Sequence, residues 1–377
     1  MMDTLRYYLV PLTTSCGVLG FWLGGPWVWL GVATYPVLAF FDIVLPRDLA
    51  PRKPGSAFLR DLPLYLHLPL MIALYAAFMH SVVSGSNPLT GEGAVWQILG
   101  SVGSLIWMNA VPTVPVTHEL LHRRHWLPRR ISQVTNTFFG DPNRDVAHVN
   151  THHIHLDTAE DSDSARRGET MYTFMLRASW GAYKDAVERE ARRLRRGGHS
   201  PWYWTNRTYQ QVLLLASLPL LVFLFAGTAA MLVCAVSVAG SKLFLEALNY
   251  YQHYGLVRVP GGTVQKHHAW NHLGAVIRPV GMEITNHTNH HLDSYTKFYD
   301  LQPEPDAPQM PSLFLCFMSG LIPPIWFEFI AKPRLKDWDQ RFATAEEQEL
   351  AMKANEKAGW PRWLDDADPQ LAPAPGN

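Results

Sequence analysis

The chain has 377 residues, of which 48% are apolar and only 17% charged, against about 25% charged in soluble domains. Its 32 Lys and Arg balance 32 Asp and Glu, so no global charge points to nucleic acid, and the scarcity of charge leaves a bilayer as the solvent for part of the chain. Cys16, Cys234 and Cys316 lie singly in apolar runs, which argues against a disulfide framework or a cysteine-ligated metal centre; no Gly-rich nucleotide loop is present.

Apolar stretches close to the ~20 residues that cross a bilayer come in three pairs. They cover 7–22 with 27–45, 64–83 with 94–116, and 212–225 with 229–248. The loops that split each pair lack Lys and Arg, whereas Arg47, Arg52, Lys53 and Arg60 follow the first pair and Arg123, Arg124, Arg129 and Arg130 follow the second. The excess of cations on the cytoplasmic side predicts six transmembrane helices in three hairpins, with both termini in the cytoplasm. The first run leads straight into a second and shows no clear small-residue cleavage site, so it does not read as a signal peptide. Segments 118–211 and 249–365 are then expected to form a cytoplasmic helical cap. The fold class is all-α integral membrane, one domain over 1–365, with a disordered tail over 366–377.

Within the cap, 172–196 reads as a helix ending in the basic stretch Arg192-Arg193-Leu194-Arg195-Arg196, a solvated or headgroup-facing end. Residues 311–330 are apolar but broken by Pro323-Pro324, which suggests an interfacial or re-entrant helix. Thr344 to Ala358 carries a Thr344-x-x-Glu347 capping box and a Gly359 stop.

Nine of the 17 histidines fall into four clusters at or beyond the cytoplasmic ends of predicted spans: His118 and His122; His148, His152 and His153; His253; and His287, His290 and His291. Residues three or four apart share a helix face, so His118 can pair with His122, His148 with His152, and His287 with His290 or His291. A His-His doublet points two rings in different directions and can serve two neighbouring ions. Nine imidazoles exceed what one ion takes and suit two. Imidazole accepts Fe, Zn, Cu or Ni, and two irons with open positions can react with O₂. Glu119, Asp157, Asp161, Glu246, Asn249, Gln252, His268, His272, Glu283 and Asp293 lie beside the clusters and are candidates to orient the rings. His125, His155 and His267 also lie near them, while His67, His80 and His199 read as ordinary structural residues. Glu246 stands out because a carboxylate inside an apolar span needs a partner.

The segments His118-Glu-Leu-Leu-His122, His148-Val-Asn-Thr-His152-His153, Asn249-Tyr-Tyr-Gln-His-Tyr-Gly-Leu256 and His287-Thr-Asn-His290-His291 together resemble the membrane alkane hydroxylase and xylene monooxygenase family of histidine-rich di-iron enzymes. Gly140-Asp-Pro-Asn-Arg-Asp145, His268-Ala-Trp-Asn-His272 and Ala307-Pro-Gln-Met-Pro-Ser312 extend the likeness over nearly the whole chain and favour the xylene branch. Gln252 stands where the alkane enzymes carry Glu, which also fits that branch. The resemblance implies two Fe ions held by the nine clustered histidines and hydroxylation of methyl groups of toluene and xylenes with O₂. It also implies electrons from a separate NADH-dependent ferredoxin reductase carrying FAD and a [2Fe–2S] centre. Trp107, Phe244 and Leu248 are candidates to line a substrate tunnel, and the arginines after the fourth span to dock the reductase. Alkane 1-monooxygenase and lipid desaturase are the near alternatives. His118-Glu119-x-x-His122 also matches the HExxH of zinc proteases, a reading that leaves seven histidines without a role, and a heme or ion transporter is the third.

Overall fold

The protein is described by a computed structural model over residues 2–365; the predicted tail 366–377 lies outside them. Among the described residues the fold is helical, with one isolated β-bridge between Asn271 and Gln309. In chain order the main helices are α1 (Leu9–Leu23), α2 (Leu30–Val44), α3 (Ala57–Val83), α4 (Ala94–Ala110), α5 (Thr113–Leu121), α6 (Trp126–Thr135), α7 (Met171–Arg196) and α8 (Arg207–Gln252). Four helical stretches are long and apolar enough to cross a membrane: Gly25–Val44, Ala57–Val83, Ala94–Leu121 and Arg207–Gln252. Large apolar side chains such as Leu12, Phe40, Ile72, Leu99 and Leu224 face outward on these helices and on α1, a surface that hydrocarbon solvates and water does not. The chain is a membrane protein.

Two glycines set the turns. Gly24 (φ 65, ψ −164) separates α1 from the next helix, and Gly227 (φ 80, ψ −176) breaks the 46-residue α8 at the point between the predicted fifth and sixth spans. Only glycine adopts this backbone region without strain, and a Cβ on Gly24 would lie 2.3 Å from Ser86 Oγ. Polar caps start two of the long helices: Ser56 accepts from Leu59 N at α3, and Asn206 from Thr208 N at α8.

The remaining helices close over one end of this bundle. α7 covers Met171–Arg196 and packs along α8. The apolar segment after residue 311 gives a short helix, Leu313–Gly320, and breaks before Pro323. The helix Ala345–Ala358 has both halves of its capping box and ends at Gly359 in the left-handed region. Asp42, buried on α2, ties this end together: Oδ1 accepts from Val276 N (2.9 Å) and Ile277 N (2.7 Å), and Oδ2 takes the Ser312 hydroxyl.

Candidate metal centre

Four chain segments bring all nine clustered histidines to one place. α5 supplies His118 and ends at His122. His148–His152 forms a π turn running on to His153. His253 follows the last residue of α8, and a six-residue helix, His287–Leu292, carries the rest. The rings fall into two groups of four, His118, His122, His148 and His290, and His152, His253, His287 and His291, with candidate ligand atoms inside each group within 4.8 Å of one another. His153 sits between them: its Nε2 is 3.2 Å from His148 Nε2, and its ring lies 4.8 Å from that of His291.

Local geometry explains the partition. An α-helical turn would pair His148 with His152. The π turn, which spaces like-facing residues five apart, instead brings His148 to His153 and sends His152 to the other group. The doublet His290-His291 divides between the groups. His287 and His291, four apart, share one.

Hydrogen bonds fix where the lone pairs point. His152 Nδ1 lies 2.8 Å from Asp161 Oδ2, and His287 Nδ1 3.1 Å from the Ile284 carbonyl. His253 Nδ1 lies 3.3 Å from Asp157 Oδ1 without a hydrogen bond. With Nδ1 of His152 and His287 carrying the proton, their Nε2 atoms present lone pairs. Yet His253 Nε2 and His287 Nε2 are 2.7 Å apart, and His291 Nε2 is 3.2 and 3.0 Å from them. Three ring nitrogens this close suit a cation set among them. In the other group His118 Nε2 and His148 Nε2 meet at 2.9 Å, while His122 Nε2 and His290 Nε2 are buried without a partner. Burial pushes His148, His253, His287, His290 and His291 well below the usual imidazole range, and His122 to about 4. Neutral imidazole is the form that ligates. His152 is the exception: burial disfavours its cation, but Asp161 outweighs that and raises it, while Asp161 is itself held down at about 2. The donor set suits a first-row transition ion in each group.

The other candidates divide. Asp161, Asp157 and Gln252 face the rings, the last loosely, with Nε2 3.5 Å from His287 Nδ1. Glu246 has its partners: Lys242 Nζ at 2.5 Å, Arg144 at 3.2 Å and Asn249 Nδ2 at 2.9 Å. Arg144 also reaches Asp163 at 3.1 Å, and Lys242 reaches Asp141 at 2.8 Å. This buried chain adjoins Asp161, whose Oδ1 accepts from Asp163 N. Asp141, Arg144 and Asp163 were not among the sequence candidates; the only signal is the charge-rich run from 141 to 145. Four candidates lie away from the rings. Glu119 pairs with Arg123 at 2.7 Å, so the HExxH glutamate is turned to an arginine. Glu283 binds Arg52 and Arg278, each at 2.6 Å. Asp293 is exposed and accepts from Thr296 and Tyr295 N. His272 Nδ1 meets the Pro311 carbonyl. His268 joins His267 on Glu347, at 2.7 and 3.0 Å, a clasp that holds the capping-box helix.

Two cavities adjoin the histidines. The inner one is walled by His118, His148, His152, His253 and His287 together with Arg144. The outer is lined by Tyr35, Trp107, Phe244, Leu248, Phe314 and Phe317, among others. Val114, Leu245, Asn249, Gln252 and Ile284 wall both. All three residues named for a tunnel, Trp107, Phe244 and Leu248, are in the outer wall.

An all-helical membrane bundle with clustered histidines at the end of an apolar cavity defines the class. The chain belongs to the fatty acid desaturase family, whose model matches residues 94–311. It is 56% identical to the xylene/toluene monooxygenase hydroxylase component of Pseudomonas putida, over 97% of this chain and 98% of that one. Similarity to alkane 1-monooxygenases is lower, 30% for that of Acinetobacter baylyi (83% of this chain, 76% of that one) and 24% for that of Ectopseudomonas oleovorans (89% and 87%).

Proposed function

We propose that the chain is a membrane di-iron monooxygenase that hydroxylates methyl groups of alkyl aromatics such as toluene and xylenes to benzylic alcohols. The observation that carries this is the convergence of two all-histidine groups on the inner end of an aromatic-lined cavity; the 56% identity to a xylene/toluene monooxygenase component supports the substrate. His118, His122, His148 and His290, with His153 beside them, would hold one iron, and His152, His253, His287 and His291 the other. When bound, the irons supply the activation of O₂.

The rest is the work of the chain. Asp161 and the Ile284 carbonyl fix the tautomers of His152 and His287, and Asp157 lies beside His253. Trp107, Phe244, Phe314 and Phe317 bind the ring of the substrate by edge-to-face contact and, with Val114, Leu245 and Ile284, keep water from the inner end. Converting a methyl group and O₂ to an alcohol and water consumes two electrons and two protons. No nucleotide motif is present in the chain, so an NADH-dependent ferredoxin reductase with FAD and [2Fe–2S] is the proposed donor. Exposed Arg124, Arg129 and Arg130 would steer its acidic domain. We read α1, the four long apolar stretches and the break at Gly227 as six spans of a bacterial inner membrane, termini and histidines on the cytoplasmic side.

Whole cells expressing the chain with such a reductase, fed p-xylene, toluene and octane, test this. Benzylic alcohols absent from a His152→Ala control are the expected products. Octanol alone would move the chain to the alkane branch, and one zinc with no iron in the purified protein would overturn the oxygenase.

A further inference from the structure

The outer cavity is not uniformly apolar. Its wall includes the aromatic rings of Tyr35, Trp107, Phe314 and Phe317, but it also carries Thr285, and Asn249 and Gln252, which it shares with the histidine-walled cavity. The Thr285 hydroxyl is the telling group. The residue is 1% exposed, lies two positions before His287, and its Oγ1 is buried with no hydrogen-bond partner. Leaving a hydroxyl so costs about 1–3 kcal/mol, and a hydrocarbon does nothing to offset it. Gln252 is similarly uncommitted, because His287 Nδ1 donates to the Ile284 carbonyl and the 3.5 Å contact from Gln252 Nε2 finds no lone pair there. A threonine hydroxyl and two amides in the wall of an aromatic pocket match a ligand with an apolar body and one hydroxyl head.

We propose that Thr285, with Gln252 and Asn249, forms a hydroxyl-binding subsite for the primary alcohol of an aromatic hydrocarbon, so that this cavity holds the alcohol in preference to the hydrocarbon. The inference rests on the monooxygenase reading only in that such an alcohol is its product. The subsite therefore sets how strongly the alcohol competes with fresh substrate.

The test uses membranes carrying the full chain and its reductase, with p-xylene as substrate and 4-methylbenzyl alcohol as competitor. Thr285→Val should raise the ratio of the alcohol's Ki to the p-xylene KM about fivefold, the worth of one hydrogen bond. Thr285→Ser should restore it, and Tyr35→Phe, which removes a second unpartnered hydroxyl in the wall, should leave it unmoved. An unchanged ratio in Thr285→Val, or an equal rise in Tyr35→Phe, overturns the subsite. Thr285→Ala gives the same reading should the valine variant fail to accumulate. If the chain turns over octane and not p-xylene, the aromatic reading fails and the same ratio is taken with octan-1-ol. If it turns over neither, the unfolding-temperature shifts given by alcohol and hydrocarbon to the purified protein and to Thr285→Val decide the subsite instead.

Discussion

The two histidine groups are built from the same side chain in the same numbers, yet their surroundings differ. In the group of His152, His253, His287 and His291, two rings lean on carboxylates, Asp161 and Asp157, and a third on a backbone carbonyl. Among the described residues no carboxylate meets a ring of the other group, His118, His122, His148 and His290; the charge that bears on His148 is the Arg144 guanidinium, which with burial and its neighbouring rings lowers it. One group thus has an ionised carboxylate, Asp161, hydrogen-bonded to a ring, and the other has none, while Arg144 bears on His148 and His152 alike. Identical ligands do not make identical sites, because a ring's basicity and orientation are set one bond further out.

The comparison breaks most visibly at Arg144. It is buried between Glu246, Asp163 and Asp141, and burial already pushes Asp163 up to about 6. Arg144→Met strands those acids and should cost about 3–5 kcal/mol of stability, read as a fall in the thermal-inactivation midpoint. The double variant Arg144→Met/Asp163→Asn should recover part of it. Equal stability of the single variant would show that the network does not depend on this arginine. Next comes Asp161→Asn, which frees the His152 tautomer; metal affinity or turnover should fall about 10–100-fold, with iron in the purified protein dropping from two per chain towards one. Smaller still is a difference in rate. A chelator should remove iron in two phases, the slow one vanishing in Asp161→Asn and surviving in His148→Ala. A single phase in the unmodified protein would mean that the anions do not distinguish the groups.

How much of this the sequence discloses depends on the range of the interaction. Histidine spacing is local, and the nine clustered rings meet in the structure; the glycines that separate the two spans of each outer pair, Gly24 and Gly227, are equally local signals. Partner choice is not. Glu283 is one residue from Ile284, which orients His287, yet its charge goes to Arg52, 231 residues away, and Glu347 reaches back 79 residues to His268. A carboxylate in an apolar run is a legible demand for a partner: Glu246 was found by it, and Asp42, buried on α2 among apolar neighbours, obeys the same rule and escaped notice. The π turn was hidden as well, since a sequence spacing of four assumes the 3.6-residue helix that this segment abandons.

The smallest effect belongs to Glu119, and it decides between chemistries. In a zinc protease this glutamate would work on a metal-bound water, and Glu119→Gln would abolish activity while sparing the metal. Here it pairs with Arg123, which also holds Asp61 at 2.8 Å, so the arginine keeps one partner when the other is neutralised. The exchange should cost no more than the ~1 kcal/mol of a partly exposed pair, leave the iron content unaltered and change hydroxylation by less than about fivefold, the factor that ~1 kcal/mol represents. Loss of all turnover with full metal occupancy would return Glu119 to the reacting centre. The group holding His118 and His122 would then carry an acid as well, and the contrast with the Asp161 side would narrow.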